Sequence, residues 1–485
     1  MDKYLILALD IGTSSVRASL YDSKANAIQG GFAKFERSFT VKPDGGAEMD
    51  PDAAFAEVAA TIDAVLKTTS KLSGEIRYVA MCSFWHSLLG IDAKGQPTTK
   101  VFGWADTRSR RYSEALKRKF DEAATHNRTG ARFHSSYWPA KLLWLRKEFP
   151  DVFAKTAKWL SFSDYVSLRV SDTDQTSVSM ASGTGIFDIS KCVWDDELIS
   201  FLKLRPSNLP AIAEQDSTTF VLNKKFATRW PRLANARWFP AIGDGAADNI
   251  GAGCVTRESA ALMIGTSGAM RVLYEGEPAK KIPSGLWCYR LDRKRVIGGG
   301  ALSDGGNLYA WLNKNLKLPK DAEAQIANRK SGAHDLTFLP FLYGERSTLY
   351  RESATGAVFG LTSATDTIDI LQAAFEAVAY RFAEILDQLN QVVTVKEIVA
   401  SGGALRESPV WTQIIADVLG RDLEIKEATE PSSRGAVIFA LKHIAAIIDV
   451  KIPTDGRRIR VDRDRFLSYN KARKRHADIC KRLIR

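Results

Sequence analysis

Two stretches of the chain, about half its length apart, alternate between apolar runs and short polar turns in the same way. Residues 5–21 read LILALDIGTSSVRASLY, and residues 260–273 read AALMIGTSGAMRVL. In each, an apolar run rich in β-forming residues leads to Gly-Thr-Ser, and a second alternating run follows. Such runs, joined by a short turn of small residues, predict a β-hairpin. The repeat therefore predicts two similar halves, each with a hairpin.

The remaining pattern mixes helical and strand segments. A β-meander is predicted for residues 1–40, and both 295–312 and 397–425 read as a strand, a glycine-rich turn and a helix. A helical period of apolar positions marks three further segments, 51–70, 367–390 and 429–441. We expect the last of these helices to pack beside the 397–425 segment. The alternation of strands and helices predicts an α/β protein.

A carboxylate lies in a glycine-rich turn just before the second hairpin, in the stretch FPAIGDGAADNIGAG (239–253). If a helix starts at this turn, Asp244 lies at the N-terminus of the helix, close to a ligand. Asp248 then lies one turn further in and is the competing candidate. We favour Asp244 as the reactive carboxylate.

The two hairpin tips have the composition of a phosphate-binding turn. Glycine lets the backbone approach a ligand closely, and successive N–H groups in a turn form a concave anion site. Two such tips could hold one polyphosphate between them, although each alone is equally typical of an ordinary hairpin. Asp10 precedes the first tip, and a carboxylate beside a phosphate is favourable only with a divalent cation between them. Asp10 is therefore predicted to be a Mg²⁺ partner, through water.

Composition narrows the class of protein. A chain of 485 residues with 45% apolar residues is too long for one core and suits two domains. No apolar run is long enough to span a membrane, and the N-terminal segment does not have the pattern of a signal peptide. The five scattered cysteines lack metal-site spacing and predict reduced thiols in a cytoplasmic protein.

Net charge adds a hint about the ligand. The formal charge is +12, but the basic residues are spread out, and the densest cluster, in 471–485, reads as a helix with a solvated face. We therefore expect neither a nucleic acid nor a membrane partner. A positive field attracts ATP and an anionic sugar acid.

Several motifs, in the same order along the chain, resemble those of the FGGY carbohydrate kinases. They are DIGTSS, GDGAADNIGAG, IGTSG and SGGALRESPVWTQIIADVLG, and the resemblance extends from Leu5 to about Leu441. It implies two actin-like, ribonuclease H-like domains with an interdomain cleft, here residues 1–253 for the sugar and 254–485 for the nucleotide. Within the family, FWHSLLGID and WADTRS look most like gluconokinases, and xylulokinases are less similar.

The resemblance also implies a set of sugar contacts. The residues that match the sugar-contacting motifs are Trp85, His86, Trp104, Asp106, Arg108 and His134. Asp106 is expected to accept hydrogen bonds from sugar hydroxyls, and Arg108 to pair with Asp106 or with a substrate carboxylate. The alternative is structural, with Asp106 as a helix N-cap and Arg108 exposed.

The nucleotide contacts and the base follow from the same resemblance. Asp244 matches the family's general base. The residues that match positions close to ATP are Gly12, Thr13, Ser14, Gly265, Thr266, Gly306, Ala310, Gly402 and Gly403. Helix–sheet packing explains Ala310 equally well.

The predicted function is ATP- and Mg²⁺-dependent phosphorylation of a terminal hydroxyl, with gluconate as the first candidate substrate. Xylulose, another pentulose and, less strongly, glycerol are alternatives within the class. An actin- or Hsp70-like ATPase, which shares the paired hairpins but ignores sugars, is the alternative from another class, and a silent sugar-binding relative is a further one. Whether the chain forms a homodimer stays open.

Overall fold

The computed structural model describes residues 4–426, 430–444 and 456–483. In its first half the strands and helices are β1 (Tyr4–Ile11), β2 (Ser15–Asp22), β3 (Ala27–Glu36), β4 (Thr40–Val41), β5 (Ala47–Met49), α1 (Pro51–Thr68), β6 (Glu75–Ser83), β7 (Leu89–Ile91), β8 (Val101–Phe102), α2 (Arg110–Lys119), α3 (Glu122–Thr129), α4 (Trp138–Glu148), α5 (Pro150–Lys155), β9 (Lys158–Leu160), α6 (Phe162–Ser171), β10 (Gln175–Thr176), α7 (Val178–Ser182), β11 (Phe187–Asp188), β12 (Val193–Trp194), α8 (Asp196–Phe201), β13 (Ala211–Ile212), α9 (Lys224–Arg229), β14 (Arg237–Trp238), β15 (Ile242–Gly243) and α10 (Asp244–Gly251).

In its second half they are β16 (Ser259–Ile264), β17 (Gly268–Glu275), β18 (Trp287–Arg290), β19 (Arg295–Leu302), α11 (Gly306–Asn315), α12 (Ala322–Ala327), β20 (Thr337–Leu339), β21 (Ala357–Phe359), α13 (Thr367–Leu389), β22 (Glu397–Ser401), α14 (Gly403–Glu407), α15 (Pro409–Leu419), β23 (Leu423–Lys426), α16 (Pro431–Ile444), β24 (Gly456–Ile459) and α17 (Arg463–Leu483). Within these described ranges, no helix is both long and apolar enough to cross a membrane.

The two large sheets are built on one plan. In the first, β1, β2 and β3 form an antiparallel meander, and β6 returns parallel to β1. In the second, β16, β17 and β19 form the meander, and β22 returns parallel to β16. Each Gly-Thr-Ser tip joins the first two strands of its sheet. The α/β fold with two similar halves is therefore confirmed, as are the predicted hairpins.

The helices predicted at 51–70 and 367–390 are present with nearly those bounds. α1 begins at Pro51, and the side chain of Asp50 accepts hydrogen bonds from the backbone N–H groups of Asp52 and Ala53. α13 is a 23-residue helix that buries much of its length in the second core. The predicted helix after Gly402 is interrupted at Ser408, whose side chain caps α15 by accepting from the N–H of Trp411.

The prediction that α16 packs beside the 397–425 segment is wrong. α16 packs on α10 and against β6 and β1 of the first sheet, and its buried residues from Ala436 to Leu441 belong to the first core. α16 can pack closely on α10 because Gly435 has no side chain and lies against the backbone of α10. The helix that begins with Asp244 is thus held by a helix from the other end of the chain.

Candidate active site

Three strand ends meet at one edge of the first sheet. β1, β6 and β15 are parallel, and the register places Cys82 on β6 between Asp10 on β1 and Ile242 on β15. The residues that follow these ends are Gly12, Phe84 and Asp244. Since ligands bind beyond the carboxyl ends of parallel strands, this edge brings the first tip, the Phe84-Trp85-His86 segment and the candidate base together.

Asp244 is the first residue of α10, as the sequence predicts. Its Oδ1 accepts a hydrogen bond of 2.7 Å from the N–H of Gly245. Burial, together with the nearby negative charge of Asp10, raises the pKa of Asp244 to about 7. A carboxyl with a pKa near neutrality is well matched to accept a proton under physiological conditions.

Asp248 has a partner that Asp244 lacks. Its Oδ2 accepts a hydrogen bond of 2.7 Å from Nη2 of Arg271, and Nε of the same arginine donates to Oδ1 of Asn249 at 3.2 Å. Arg271 lies on β17, so this buried network joins α10 to the second sheet. The arrangement favours a bracing position for Asp248 and leaves Asp244 as the stronger candidate base.

Asp10 is buried, with 3% of its surface exposed, and its Oδ2 accepts from Nη1 of Arg17 at 3.2 Å. Nη1 of Arg17 also lies 3.2 Å from Oε2 of Glu430. Burial raises the pKa of Asp10 despite the arginine. Arg17 is therefore a structural counter-ion beside the first tip.

The first tip is tightly folded. The N–H of Gly12 donates to the carbonyl of Ser15 at 2.9 Å, and the carbonyl of Gly12 accepts from Nε and Nη2 of Arg37. The N–H groups of Thr13 and Ser14 donate no hydrogen bond within the described ranges, so they remain for a ligand. The sequence around Gly12 does not reveal the role of Arg37, because Arg37 follows β3 and is 25 positions away.

The second tip is brought together with α11 and α14. The N–H groups of Gly306 and Asn307 donate to the carbonyls of Gly265 and Thr266, at 2.8 and 3.0 Å. Gly402 precedes α14 with φ +107°, and a Cβ there would lie 2.2 Å from the carbonyl oxygen of Ile264. Four predicted nucleotide positions therefore converge at one end of the second sheet. These are Gly265, Thr266, Gly306 and Gly402.

Two further predicted nucleotide positions lie at the same end. Gly403 is the first residue of α14, directly after Gly402, and it is half-buried. Ala310 is exposed, one turn along α11 from Gly306. The exposure of Ala310 argues against simple helix–sheet packing at that position.

Trp85 lies directly beneath the turn that carries Asp244. A Cβ on Gly243 would approach Cε2 of Trp85 to 1.9 Å, so only glycine fits there. The indole N–H donates to the carbonyl of Ser179 at 3.0 Å, and the ring contacts Tyr289 of β18 at 5.3 Å between centroids. Trp85 thus contacts both the turn that carries Asp244 and the aromatic side chain of Tyr289.

His86 presents a hydrogen-bond acceptor. Its Nδ1 lies 2.6 Å from the carbonyl of Gly183, which can only accept, so Nδ1 carries the proton. Burial, with the nearby charge of Arg346, lowers the pKa of His86 to about 3, so the ring is neutral at physiological pH. Nε2 is then a free lone pair, suited to a sugar hydroxyl. A φ of +70° at His86 sets this orientation.

His134 presents the opposite polarity. Its Nδ1 accepts from the N–H of Ser136 at 3.0 Å, so the proton of the neutral ring is on Nε2. Burial lowers the pKa of His134 to about 4. Nε2 lies 3.9 Å from Oε2 of Glu352. One histidine therefore offers an acceptor and the other a donor, which suits a polyol.

Asp106 and Arg108 are engaged with each other. Both carboxylate oxygens of Asp106 accept from Arg108, and Oδ2 also accepts from the N–H of Ala47 at 3.0 Å. Arg108 also bonds Oε2 of Glu48 at 2.6 Å. The N-cap interpretation of Asp106 is wrong, because α2 begins at Arg110 with Ser109 before it. A direct sugar contact by Asp106 stays a prediction.

Several cleft residues have no signal in the sequence. Tyr137 and Tyr289 share a hydrogen bond of 2.6 Å between their hydroxyls, across the two halves. Oε1 of Glu352 accepts from the N–H of Ser135 at 3.0 Å. Glu345 pairs with Arg381, and the guanidinium of the adjacent Arg346 lies over Trp104, 4.9 Å from its ring centroid.

The chain is similar along most of its length to known carbohydrate kinases. The models of the FGGY family of carbohydrate kinases match residues 5–251 (N-terminal domain) and 260–444 (C-terminal domain). The gluconokinase of Bacillus licheniformis is 27% identical, over 94% of this chain and 90% of that protein. The xylulose kinase of Staphylococcus xylosus is 23% identical, over 90% of each. The crystal structure of gluconate kinase from Lactobacillus acidophilus superimposes with a TM-score of 0.91, at 24% identity, and covers 100% of this chain and 99% of that one.

Proposed function

The chain is a carbohydrate kinase that belongs to the FGGY family, and from that premise we propose that it phosphorylates gluconate on its terminal hydroxyl to give 6-phosphogluconate. The observation that supports the reaction is the position of Asp244, at a helix N-terminus on the edge where three parallel strands end. The choice of gluconate is supported by the similarity to gluconokinases along most of the chain. Xylulose is the second candidate, because xylulose kinases are similar over nearly the same length.

In the proposed reaction, Asp244 accepts the proton of the sugar hydroxyl while the oxygen of that hydroxyl forms a bond to the γ-phosphorus of ATP. The bond from that phosphorus to the bridging oxygen breaks, and ADP leaves. Since phosphoryl transfer has a loose transition state, positioning and charge stabilisation supply most of the rate. His86 and His134 orient the polyol, and the N–H groups of Thr13 and Ser14 face the phosphates.

The carboxylates at the sheet edge fit a divalent cation. Asp10 is buried, and its negative charge contributes to the raised pKa of Asp244, so two carboxylates crowd one site. A Mg²⁺ ion held through water by Asp10 would relieve this repulsion. When bound, such an ion neutralises phosphate charge. Asp10 is therefore the residue we propose for Mg²⁺.

The two halves divide the work in this proposal. Residues 1–253 hold the sugar and the first tip, and residues 254–485 hold the nucleotide at Gly265, Thr266, Gly306, Ala310, Gly402 and Gly403. α16 crosses back to support the helix of Asp244. We also propose a cytoplasmic location, which fits the five unpaired, buried cysteines.

The direct test of the proposal is the identity of the product. With gluconate, ATP and Mg²⁺, we expect a phosphate ester on the C6 oxygen, detected by its phosphorus–proton coupling in NMR spectra. A phosphate at another carbon contradicts the role of Asp244 toward the terminal hydroxyl. Inorganic phosphate without a sugar ester supports the ATPase alternative.

The pH dependence of turnover tests the base. Because Asp244 must be ionised to accept a proton, kcat/KM is expected to rise with pH through about 7, the pKa of Asp244. Burial lowers the pKa of His86 to about 3 and that of His134 to about 4, so neither ring changes its charge near pH 7. In Asp248→Asn, which removes another nearby negative charge and releases Arg271 from its pair, the pKa of Asp244 should fall, so the limb is expected to shift to lower pH. A limb at the same pH in both proteins contradicts the assignment.

A further inference from the structure

Arg346 is a cation placed at the cleft without an acidic partner. Its guanidinium carbon lies over Trp104, 4.9 Å from the ring centroid, and the side chain is half-buried. No carboxylate among the described residues lies within ion-pair distance of it, whereas its neighbour Glu345 pairs with Arg381. A stacked guanidinium keeps its hydrogen-bond donors free at the edge of the plane. Arg346 is therefore held in place with its donors available.

The charges around Trp104 balance without Arg346. Arg108 pairs with Asp106 and Glu48, and Lys42 lies 2.6 Å from the other oxygen of Glu48. Two cations and two anions form this network. It leaves no negative charge for Arg346.

The charges on the other side of the pocket also balance. The buried ammonium group of Lys141 donates to the carbonyl of Ser135, and the buried carboxylate of Glu352 accepts from the N–H of the same residue. Burial lowers the pKa of Lys141 to about 8, and the carboxylates of Asp106 and Glu352 oppose this shift. With His134 neutral, these groups cancel. Arg346 is therefore a half-buried charge that these groups do not neutralise.

Arg346 and Asp244 act on different groups. The strongest charge effects on the pKa of Asp244 come from Asp10, Arg271 and Asp248, whereas the charge of Arg346 acts on His86, His134 and Tyr137. A series of aromatic contacts connects the two sets of residues. Trp85 beneath Asp244 contacts Tyr289, which is hydrogen-bonded to Tyr137 beside His86.

A linear sugar acid matches this polarity. It carries a hydroxyl at one end and a carboxylate at the other, and its carboxylate is repelled from the acidic end at Asp244. We infer that Arg346, held on Trp104, binds the carboxylate of the substrate and selects a sugar acid over neutral sugars. The inference deepens the proposed function and rests on it.

The sharpest test compares gluconate with glucitol, which differs from it by carrying an alcohol in place of the carboxylate. For Arg346→Gln, we expect kcat/KM for gluconate to fall by about 10- to 100-fold, mostly through KM, the size of a lost charge-assisted hydrogen bond. Turnover of glucitol is expected to change less than about threefold, on the same basis that a neutral ligand makes no such bond. Arg346→Lys, which keeps the charge but not the planar fork, is expected to lie between.

The matched control is Arg351→Gln, because Arg351 is an exposed arginine of the same loop. This variant is expected to keep the wild-type kcat/KM for both gluconate and glucitol. Thermal melting checks that all variants fold. If the wild type prefers gluconate and Arg346→Gln keeps that preference, the inference is overturned while the proposed function stands. If the wild type prefers a neutral sugar, both are overturned. If it prefers another sugar acid, gluconate is the wrong substrate, and the comparison is repeated with that acid and its alcohol, where loss of preference supports the inference and retention overturns it.

Discussion

In Asp244→Asn, kcat is expected to fall at least about a hundredfold, the usual contribution of a general base. Asparagine keeps the size of the side chain and its contact with the N–H of Gly245, but it cannot accept the hydroxyl proton. Binding of ATP should be unchanged, because the predicted nucleotide positions lie on the two hairpin tips and on α11 and α14 and do not include Asp244. Steady-state kinetics and ATP titration measure both effects.

A fold control is built into this variant. The pKa of Asp244 is raised to about 7 in the folded state, so the carboxyl contributes stability at low pH that is lost as pH rises through 7. Asparagine has no such loss, so the variant should melt at a higher temperature than the wild type at pH 8, and by a smaller margin at pH 5. Near-normal turnover of Asp244→Asn contradicts its assignment as the base.

Asp248→Asn is the contrasting variant. It breaks the pair with Arg271, so its melting temperature should be lower than that of the wild type.

The second large effect is expected from Gly435→Ala in α16. A Cβ at this position would lie 1.8 Å from the carbonyl oxygen of Ala247 in α10. Backbone atoms cannot yield as a side chain does, so the helices must separate, and the free energy of unfolding should fall by about 3 kcal/mol. Because α10 begins at Asp244, turnover of the folded fraction should fall as well. Urea unfolding and kinetics below the transition measure these effects.

Gly298→Ala is the matched control. A Cβ on Gly298 in β19 would meet only the carbonyl of Trp287, at 3.5 Å, which is an ordinary contact. The variant should therefore unfold close to the wild type and keep its turnover. Equal losses in the two variants contradict the account of α10 as a helix positioned by α16.

Features set by neighbouring residues could be predicted from the sequence. Each Gly-Thr-Ser tip is a local turn between alternating runs, and Asp244 begins a helix because its glycine-rich turn permits it. The helical period of apolar residues predicts that α16 has an apolar face, but it does not predict which of the two cores this face packs against. Both cores are apolar, so the choice depends on the fit of Gly435 against α10, which no local pattern encodes.

The missed site residues share a physical reason. Arg271 reaches Asp248 across 23 positions, and Glu352 reaches Ser135 across 217. Arg346 and Glu345 are adjacent and of opposite charge, yet their side chains contact different partners, Trp104 and Arg381. Pairing of charges between distant segments depends on how the two halves pack, and adjacency in sequence is a poor guide to it.

The measurement that tests the central claim most directly is ADP production from ATP and Mg²⁺ with gluconate, xylulose, ribulose, glycerol and no sugar. The account predicts strong stimulation by gluconate and little ADP in the blank. Stimulation by another substrate of the panel alone would keep the kinase chemistry and contradict gluconate. Equal turnover with and without sugars would contradict the account of Asp244 as the base for a sugar hydroxyl.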